Sequence, residues 1–176
     1  CIQHSYEKKV SEIQEILKQF REVYYENGII PALDKPFIRD LFNTFVCYID
    51  LREFYPRKLI SHSDERGSFV ETAKLHGGGQ VSFSTTHPGV TRGNHFHIRK
   101  AERFAVIQGH ALIQLRRIGT QDVMNFELNG KEPAYVDMPI WHTHNIRNIG
   151  NNELLTIFWI SEHFNPDDPD TYYEKV

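Results

Sequence analysis

The stretch Gly89-Val90-Thr91-Arg92-Gly93-Asn94-His95-Phe96-His97-Ile98-Arg99-Lys100-Ala101-Glu102 decides how this chain is read. Successive side chains of a strand point to opposite faces, so His95 and His97, two residues apart, share one face and can grip a single ion. Glu102 follows five residues later at the start of another expected strand, and a second pair, His142 and His144, lies in a late strand. Two or three imidazoles with one carboxylate suit Zn²⁺, Fe²⁺, Mn²⁺, Ni²⁺ or Cu²⁺ and leave positions for water or substrate. An isolated His-x-His pair is equally compatible with a solvent-facing strand, so the surrounding pattern has to decide.

Outward from this stretch, alternating β-branched and aromatic residues between turn signals place strands at residues 68–74, 80–85, 91–97, 103–108, 111–117, 123–128, 134–137, 142–147 and 154–161. Short strands at regular spacing imply a sandwich or barrel. Gly77-Gly78-Gly79, Gln108-Gly109, Asn129-Gly130 and the run from Asn148 to Asn152 are expected to close hairpins. Before Pro56 the period is 3.6. Ile13, Ile16, Leu17, Phe20, Val23 and Tyr24 predict an amphipathic helix over 11–27, with Ser11 and Gln14 as a capping box and Asn27-Gly28 as its stop. A second helix is expected over 34–48, with Asp34 as N-cap, Pro36 in the first turn, and Phe37, Leu41, Phe45 and Tyr48 facing a core. The expected division is a helical extension, 1–56, and a β domain, 57–176, with an irregular Pro- and Asp-rich segment at 165–170.

Composition narrows the function classes. The 176 residues are 40% hydrophobic, 12% aromatic and 24% charged, as in an ordinary folded domain. A net charge of −3 offers no basic surplus for nucleic-acid phosphates or anionic lipid, so neither partner is expected. Two cysteines, Cys1 and Cys47, cannot build a disulfide framework and fit a reducing compartment. No apolar run approaches the roughly 20 residues that span a bilayer, and no basic-then-hydrophobic leader opens the chain, so a cytoplasmic protein is expected. A chain that opens on Cys rather than Met is expected to be a processed or truncated piece of something longer.

Gly89, five residues, His95-Phe96-His97, four residues, Glu102, six residues and Gly109 together resemble the first motif of the cupin superfamily. Pro139, His144 and Asn148 resemble the second, with Trp141 where a glycine is usual. The resemblance covers residues 59–176 and implies a double-stranded β-helix, or jelly-roll, barrel. It implies that His95, His97, Glu102 and His144 hold an ion inside the barrel, with His142 lining the cavity. Asp64-Glu65-Arg66-Gly67-Ser68-Phe69-Val70-Glu71 and Thr91-Arg92-Gly93-Asn94-His95-Phe96 resemble the dTDP-4-keto-6-deoxyglucose 3,5-epimerases. That resemblance implies that Arg66 and Arg92 hold substrate and diphosphate through bidentate hydrogen bonds. The same family takes its base from the histidine at the place of His95 and binds no metal, carrying glutamine at the place of His97 and lysine near Glu102. Both positions hold ligand types here, and a histidine that donates its lone pair to a metal cannot also be a free base. The family's catalytic tyrosine aligns with Phe158, which cannot transfer a proton. His142, Lys74 and Tyr135 are therefore the candidate catalytic proton carriers, chosen by residue type and expected nearness to the barrel mouth.

Five further strings are similar to the cupin half of the bifunctional capsular polysaccharide enzymes on the UDP-N-acetyl-L-fucosamine route, in which a short-chain reductase is fused to a C-terminal zinc cupin. They are Arg66-Gly67-Ser68-Phe69, Gly78-Gly79-Gln80-Val81-Ser82, Gly93-Asn94-His95, Thr143-His144-Asn145-Ile146 and Pro169-Asp170-Thr171-Tyr172-Tyr173. Residues 10–50 resemble the end of the reductase half. No Gly-x-Gly-x-x-Gly fingerprint and no Tyr-x-x-x-Lys pair occurs, so NADPH-dependent reduction is not expected of this chain. The resemblance implies a Zn²⁺-dependent C3 epimerase acting on a UDP-4-keto-6-deoxy-N-acetylhexosamine through a C4 enolate. It also implies a homodimer and a fused or associated reductase. Two other readings stay open: a metal cupin of another activity, such as an iron dioxygenase or sugar-phosphate isomerase, or a non-catalytic sugar-nucleotide binding module with structural zinc.

Overall fold

The computed structural model describes residues 6–176, which leaves Cys1 outside the described residues. The chain divides into two compact units, Cys1–Lys58 with Ala73–Gly77, and Leu59–Thr72 with Gly78–Val176.

In the first unit, α1 (Val10–Phe20) runs into a π-helical turn (Arg21–Glu26) that ends where the Gly28 N–H bonds the Tyr24 carbonyl at 2.9 Å. The short strand β1 (Ile29–Ile30) follows, then α2 (Pro36–Cys47) and α3 (Leu51–Phe54). Aromatic rings supply the packing. Phe20 meets Phe42 edge-on at 5.2 Å, Tyr24 meets Phe42 at 5.0 Å, and Tyr25 stacks on Phe54 at 4.8 Å. Three expectations need correction. The α1 cap is Lys9, whose N–H donates to the Glu12 carboxylate at 2.9 Å, so Ser11 already lies inside the helix. The α2 cap is Lys35 rather than Asp34, because a residue before proline is barred sterically from helical geometry; Lys35 is extended, at φ −92° and ψ 125°. Phe42, not Leu41 or Tyr48, is the buried residue of α2; the helix ends at Cys47, which leaves Tyr48 87% exposed. Asp50 then caps α3, a turn the periodicity did not reveal, by accepting from the Arg52 and Glu53 N–H groups.

The second unit is built from β2 (Ser61–Asp64), β3 (Gly67–Leu75), β4 (Gln80–Thr86), β5 (Thr91–Phe96), β6 (Glu102–Gln108), β7 (His110–Arg117), β8 (Val123–Asn129), β9 (Ala134–Met138), β10 (His142–Asn148), β11 (Leu154–Ile160) and β12 (Tyr172–Tyr173). The last residues of β3 pair in parallel with β1 and belong with the helical unit. One sheet runs β3-β4-β11-β6-β9 with β2 beside β3, and the other runs β12-β5-β10-β7-β8. This is the expected jelly-roll. β2 and β12 escape a periodicity reading because one is exposed throughout and the other is two residues long.

From β4 onward nearly every connection changes sheet. Gln108-Gly109, Asn129-Gly130 and Asn148–Asn152 are therefore corners between sheets and not the expected hairpins. Turn residues announce a reversal of the chain but do not say which sheet receives the next strand. The corners pack tightly, and a Cβ on Gly130 would lie 2.4 Å from the Gln108 backbone. Between the sheets, Phe104, Val106, Leu154 and Phe158 of one face meet Ala111, Ile113, Leu115 and Ile146 of the other. Each fully buried aliphatic side chain of this kind stabilises the barrel by roughly 1.5–3 kcal/mol. The inner face of β4 is polar instead: Gln80, Ser82, Ser84 and Thr86 are each 1% exposed. Among the described residues no helix is long and apolar enough to cross a membrane.

Candidate metal centre

β5 and β10 are antiparallel neighbours, and their register sets His95 directly opposite His144. His97 stands one residue past the end of β5, and the corner from Ile98 to Ala101 carries the chain to the other sheet, where Glu102 opens β6. The four side chains thus meet between the sheets at one end of the barrel, with all their ligand atoms within 4.8 Å of one another. The β5–β10 ladder shifts register between His144 and Asn145, next to Gly93. There φ is +98°, and a Cβ would lie 2.7 Å from the His144 carbonyl oxygen, so glycine is required.

Hydrogen bonds set the histidine tautomers. His97 Nδ1 donates to the Asp170 carbonyl, and His144 Nδ1 donates to the His142 carbonyl at 3.2 Å. With the ring proton on Nδ1, each Nε2 presents a lone pair. Those two Nε2 atoms lie 3.2 Å and 3.0 Å from Glu102 Oε2, yet none of the three buried atoms has a hydrogen-bond partner. Lone pairs pointed at a carboxylate oxygen in a dry interior repel unless a cation lies between them. The residues fit a divalent transition metal held by three imidazoles and one carboxylate, with the His97 and His144 rings oriented by backbone acceptors as outer-sphere partners do. His95 is the least buried of the four and marks the open side.

Burial pushes His95 down to about 4, and the neighbouring His144 adds to the shift. The unfolded chain takes up this proton near pH 6.5 and the folded chain only near pH 4, so between these values the unfolded state binds more protons. In metal-free protein the stabilisation is complete above about pH 6.5 and falls by up to about 3 kcal/mol as pH drops toward 4. Melting temperature followed against pH in chelator should show this decline, and a His95→Asn variant should flatten it.

The other sequence-selected residues fall in different places. Arg92 is half-buried, its Nε donating to Thr86 Oγ1 and its Nη2 to the Thr85 carbonyl, both at 3.1 Å. Burial and the nearby positive charge of Arg66 both lower its pKa, so the two guanidinium groups share one neighbourhood. Arg66 is held by Asp64, whose carboxyl it pulls down to about 2. His142 is half-buried, two residues before His144, and bonds the Ile140 carbonyl through Nδ1 at 3.0 Å; it stands outside the four-residue cluster. Tyr135 does not reach the site. It pairs with Ala105 on the outer face of the sheet and is 56% exposed, with the Arg103 guanidinium 3.8 Å from its ring centroid. Lys74 pairs with Ile29 and belongs to the helical unit. Phe158 packs edge-on against Phe104 at 4.5 Å in the core. Trp141 adopts φ +61°, which explains why glycine is usual there, and stacks on Phe96. Sequence reasoning assigned no role to Asp170. A contact across 73 residues leaves no local period, and Asp170 stood out only within the string Pro169-Asp170-Thr171-Tyr172-Tyr173 that resembles the capsular enzymes' cupin half.

With this geometry in view, the family model for the polysaccharide biosynthesis C-terminal domain matches residues 62–172. The chain belongs to that family. It is 35% identical over 172 residues to a Pseudomonas aeruginosa UDP-2-acetamido-2,6-beta-L-arabino-hexul-4-ose reductase, covering 97% of this chain and 45% of that protein. A Bacillus subtilis spore coat polysaccharide biosynthesis protein, SpsL, is 30% identical over 126 residues, 65% of this chain and 82% of that one. Among solved structures, the Staphylococcus aureus capsular polysaccharide assembling protein CapF superposes with a TM-score of 0.84 at 34% identity, covering 97% of this chain and 49% of that chain. Lactobacillus farciminis oxalate decarboxylase, at a TM-score of 0.51 and 21% identity over 67% of this chain and 33% of that one, shares the cupin fold alone. The chain spans about half the length of its P. aeruginosa and S. aureus relatives.

Proposed function

We propose that this chain catalyses metal-dependent inversion at C3 of a UDP-linked 4-keto-6-deoxy-N-acetylhexosamine, in the nucleotide-sugar supply of a capsular or related polysaccharide. The observation that carries this reading is the convergence of His95, His97, Glu102 and His144 inside the barrel, with unpartnered lone pairs at its centre. The names of the P. aeruginosa and S. aureus relatives, a UDP-acetamido-hexulose reductase and a capsule assembling protein, support the substrate class.

The chemistry follows from the ketone. A 4-keto group acidifies the proton on C3, and its removal places negative charge on O4. A divalent cation, which we take to be Zn²⁺, supplies Lewis acidity toward that oxygen when bound by the four ligands, worth several kcal/mol of charge stabilisation. Arg92, already anchored by Thr86 and the Thr85 carbonyl, has donors left over for a diphosphate, and Arg66 beside it, whose Nε and Nη2 are engaged by Asp64, adds positive charge and its remaining Nη1 donors. We take His142 as the proton carrier because it lies two residues before ligand His144, whereas Tyr135 faces outward. Delivery of a solvent-derived proton to the opposite face of C3, by a donor other than His142, completes the inversion and leaves His142 to pass the abstracted proton to water.

A homodimer is part of the proposal. The outer face of the sheet exposes Ile157 and Trp159 of β11, with Ala105 between Ile157 and Tyr135 and the Arg103–Asp137 ion pair next to Trp159, a mixed apolar and charged surface that a second copy would cover. The proposal also includes cytoplasmic action alongside a fused or associated NADPH-dependent reductase. The half-length match to the reductase relative supports that partner.

NMR in D₂O of the zinc-loaded protein with the UDP-4-keto sugar tests the reaction. Deuterium is expected to enter at C3 before any net conversion is complete. Absence of exchange with metal bound and substrate saturating would overturn the epimerase reading and leave a binding module or another metal chemistry.

A further inference from the structure

We infer that the C-terminal segment from Asp170 to Lys175 is a strap that locks the metal centre, with Asp170 as the positioning residue that holds His97 in its ligating orientation. The inference rests on the metal-binding part of the proposed function and not on the reaction.

Asp170 is only 2% exposed although it sits in an irregular, polar tail, and it adopts a left-handed φ of +43° that aspartate tolerates better than most residues. Its carboxylate accepts the backbone N–H groups of Ile98, Arg99 and Lys100, each at 3.1 Å. These three residues form the corner between ligand His97 and ligand Glu102, and they have no ladder partner of their own. The carbonyl of the same residue accepts the His97 Nδ1 proton. One aspartate therefore fixes both the path of the chain between two ligands and the tautomer of the first.

The rest of the strap reaches the other two ligands. Tyr173 pairs opposite His95 in β12, and the Glu174 N–H bonds the Asn94 carbonyl at 3.0 Å. The Thr143 hydroxyl, beside His144, donates to the Glu174 carbonyl. Arg116, 8% exposed, anchors the end by bonding the Glu174 carboxylate at 2.8 Å and the Lys175 carbonyl at 2.6 Å. The strap thus touches the segments that carry the three histidines and the corner that leads to Glu102. Outer-sphere acceptors raise the basicity of ligating histidines and hold their rings in place, and losing one typically weakens metal binding by roughly 10–100-fold.

The experiment compares the full chain with Asp170→Ala and Asp170→Asn. Zn²⁺ affinity is measured by competition with a chromophoric chelator, and melting temperature is measured in chelator and in excess Zn²⁺. Asp170→Ala keeps the carbonyl that accepts from His97 but loses the carboxylate that fixes the corner and that carbonyl. It is therefore expected to bind Zn²⁺ about 10-fold more weakly, the low end of an outer-sphere loss, and to show a smaller zinc-induced rise in melting temperature. Asp170→Asn keeps the left-handed backbone and one acceptor oxygen but turns its NH2 toward at least one of the three backbone N–H groups, so it should recover part of both. An Asp170→Ala protein with wild-type affinity and a wild-type zinc-induced rise would reduce the strap to a structural role and overturn the inference. Should Asp170→Ala fail to fold, the ring NMR of metal-free wild-type protein decides: a His97 proton on Nδ1 supports the strap, and one on Nε2 overturns it. Asp170-dependent zinc binding without C3 exchange would sink the reaction and leave the strap standing. A wild-type chain that binds no divalent transition metal would sink both.

Discussion

Replacing His97 by alanine is expected to abolish metal retention, lowering Zn²⁺ affinity by more than about 100-fold, beyond the roughly 10–100-fold that loss of an outer-sphere partner costs. The size of the effect follows from where His97 sits. Its ring is 3% exposed, its Nδ1 is already committed to the Asp170 carbonyl, and its Nε2 faces Glu102 Oε2 at 3.2 Å. Among the described residues no fifth metal-ligating side chain joins the cluster, and His142, two residues before His144, is engaged with the Ile140 carbonyl. The remaining set of two imidazoles and one carboxylate binds a divalent ion far more loosely, since the fourth contact closes the chelate at no further entropic cost. Elemental analysis after dialysis against a weak chelator checks this. A His97→Ala protein that kept the wild-type complement of zinc would overturn the ligand assignment.

The Gly93→Ala substitution should destabilise the barrel by about 3 kcal/mol or more, combining a left-handed backbone that alanine adopts poorly with an overpacked contact. The added Cβ would stand 2.7 Å from the His144 carbonyl oxygen and 2.9 Å from the Asn145 Cα. Both are backbone atoms of the β5–β10 ladder, so neither can yield without separating the strands that carry His95 and His144. Zinc affinity should therefore fall together with stability. Gly89 supplies the control: its φ is +77°, but nothing lies within 4 Å of its would-be Cβ. Gly89→Ala should cost only the conformational part, about 1 kcal/mol, and leave zinc affinity unchanged. Urea denaturation of both variants in chelator separates the two contributions. Equal losses would show that the close approach at Gly93 contributes nothing.

Much of this architecture was legible along the chain. Period-two alternation located the strands from β3 to β11, because each strand buries one face and exposes the other, and that constraint is written into neighbouring residues. The same period put His95 and His97 on one face, and their residue types named the chemistry. The resemblance to cupins implied all four ligands; what residue type and local period by themselves did not reveal shares one property, which is dependence on partners far away in sequence. Placing His144 opposite His95 needs the register of β10 on β5, and bringing Glu102 to both needs a corner that switches sheets. Turn residues such as Gln108-Gly109 looked like hairpins because local chemistry encodes the reversal and not its destination. Tyr135 looked like a mouth residue until the pairing with Ala105 put it on the outer face. Asp170 looked like loop, yet it bridges 73 residues to His97. Residue type and local period determined which groups carry the chemistry and that they lie in strands. Only the closure of the barrel, settled by how whole sheets pack rather than by any single segment, decided which of those groups meet.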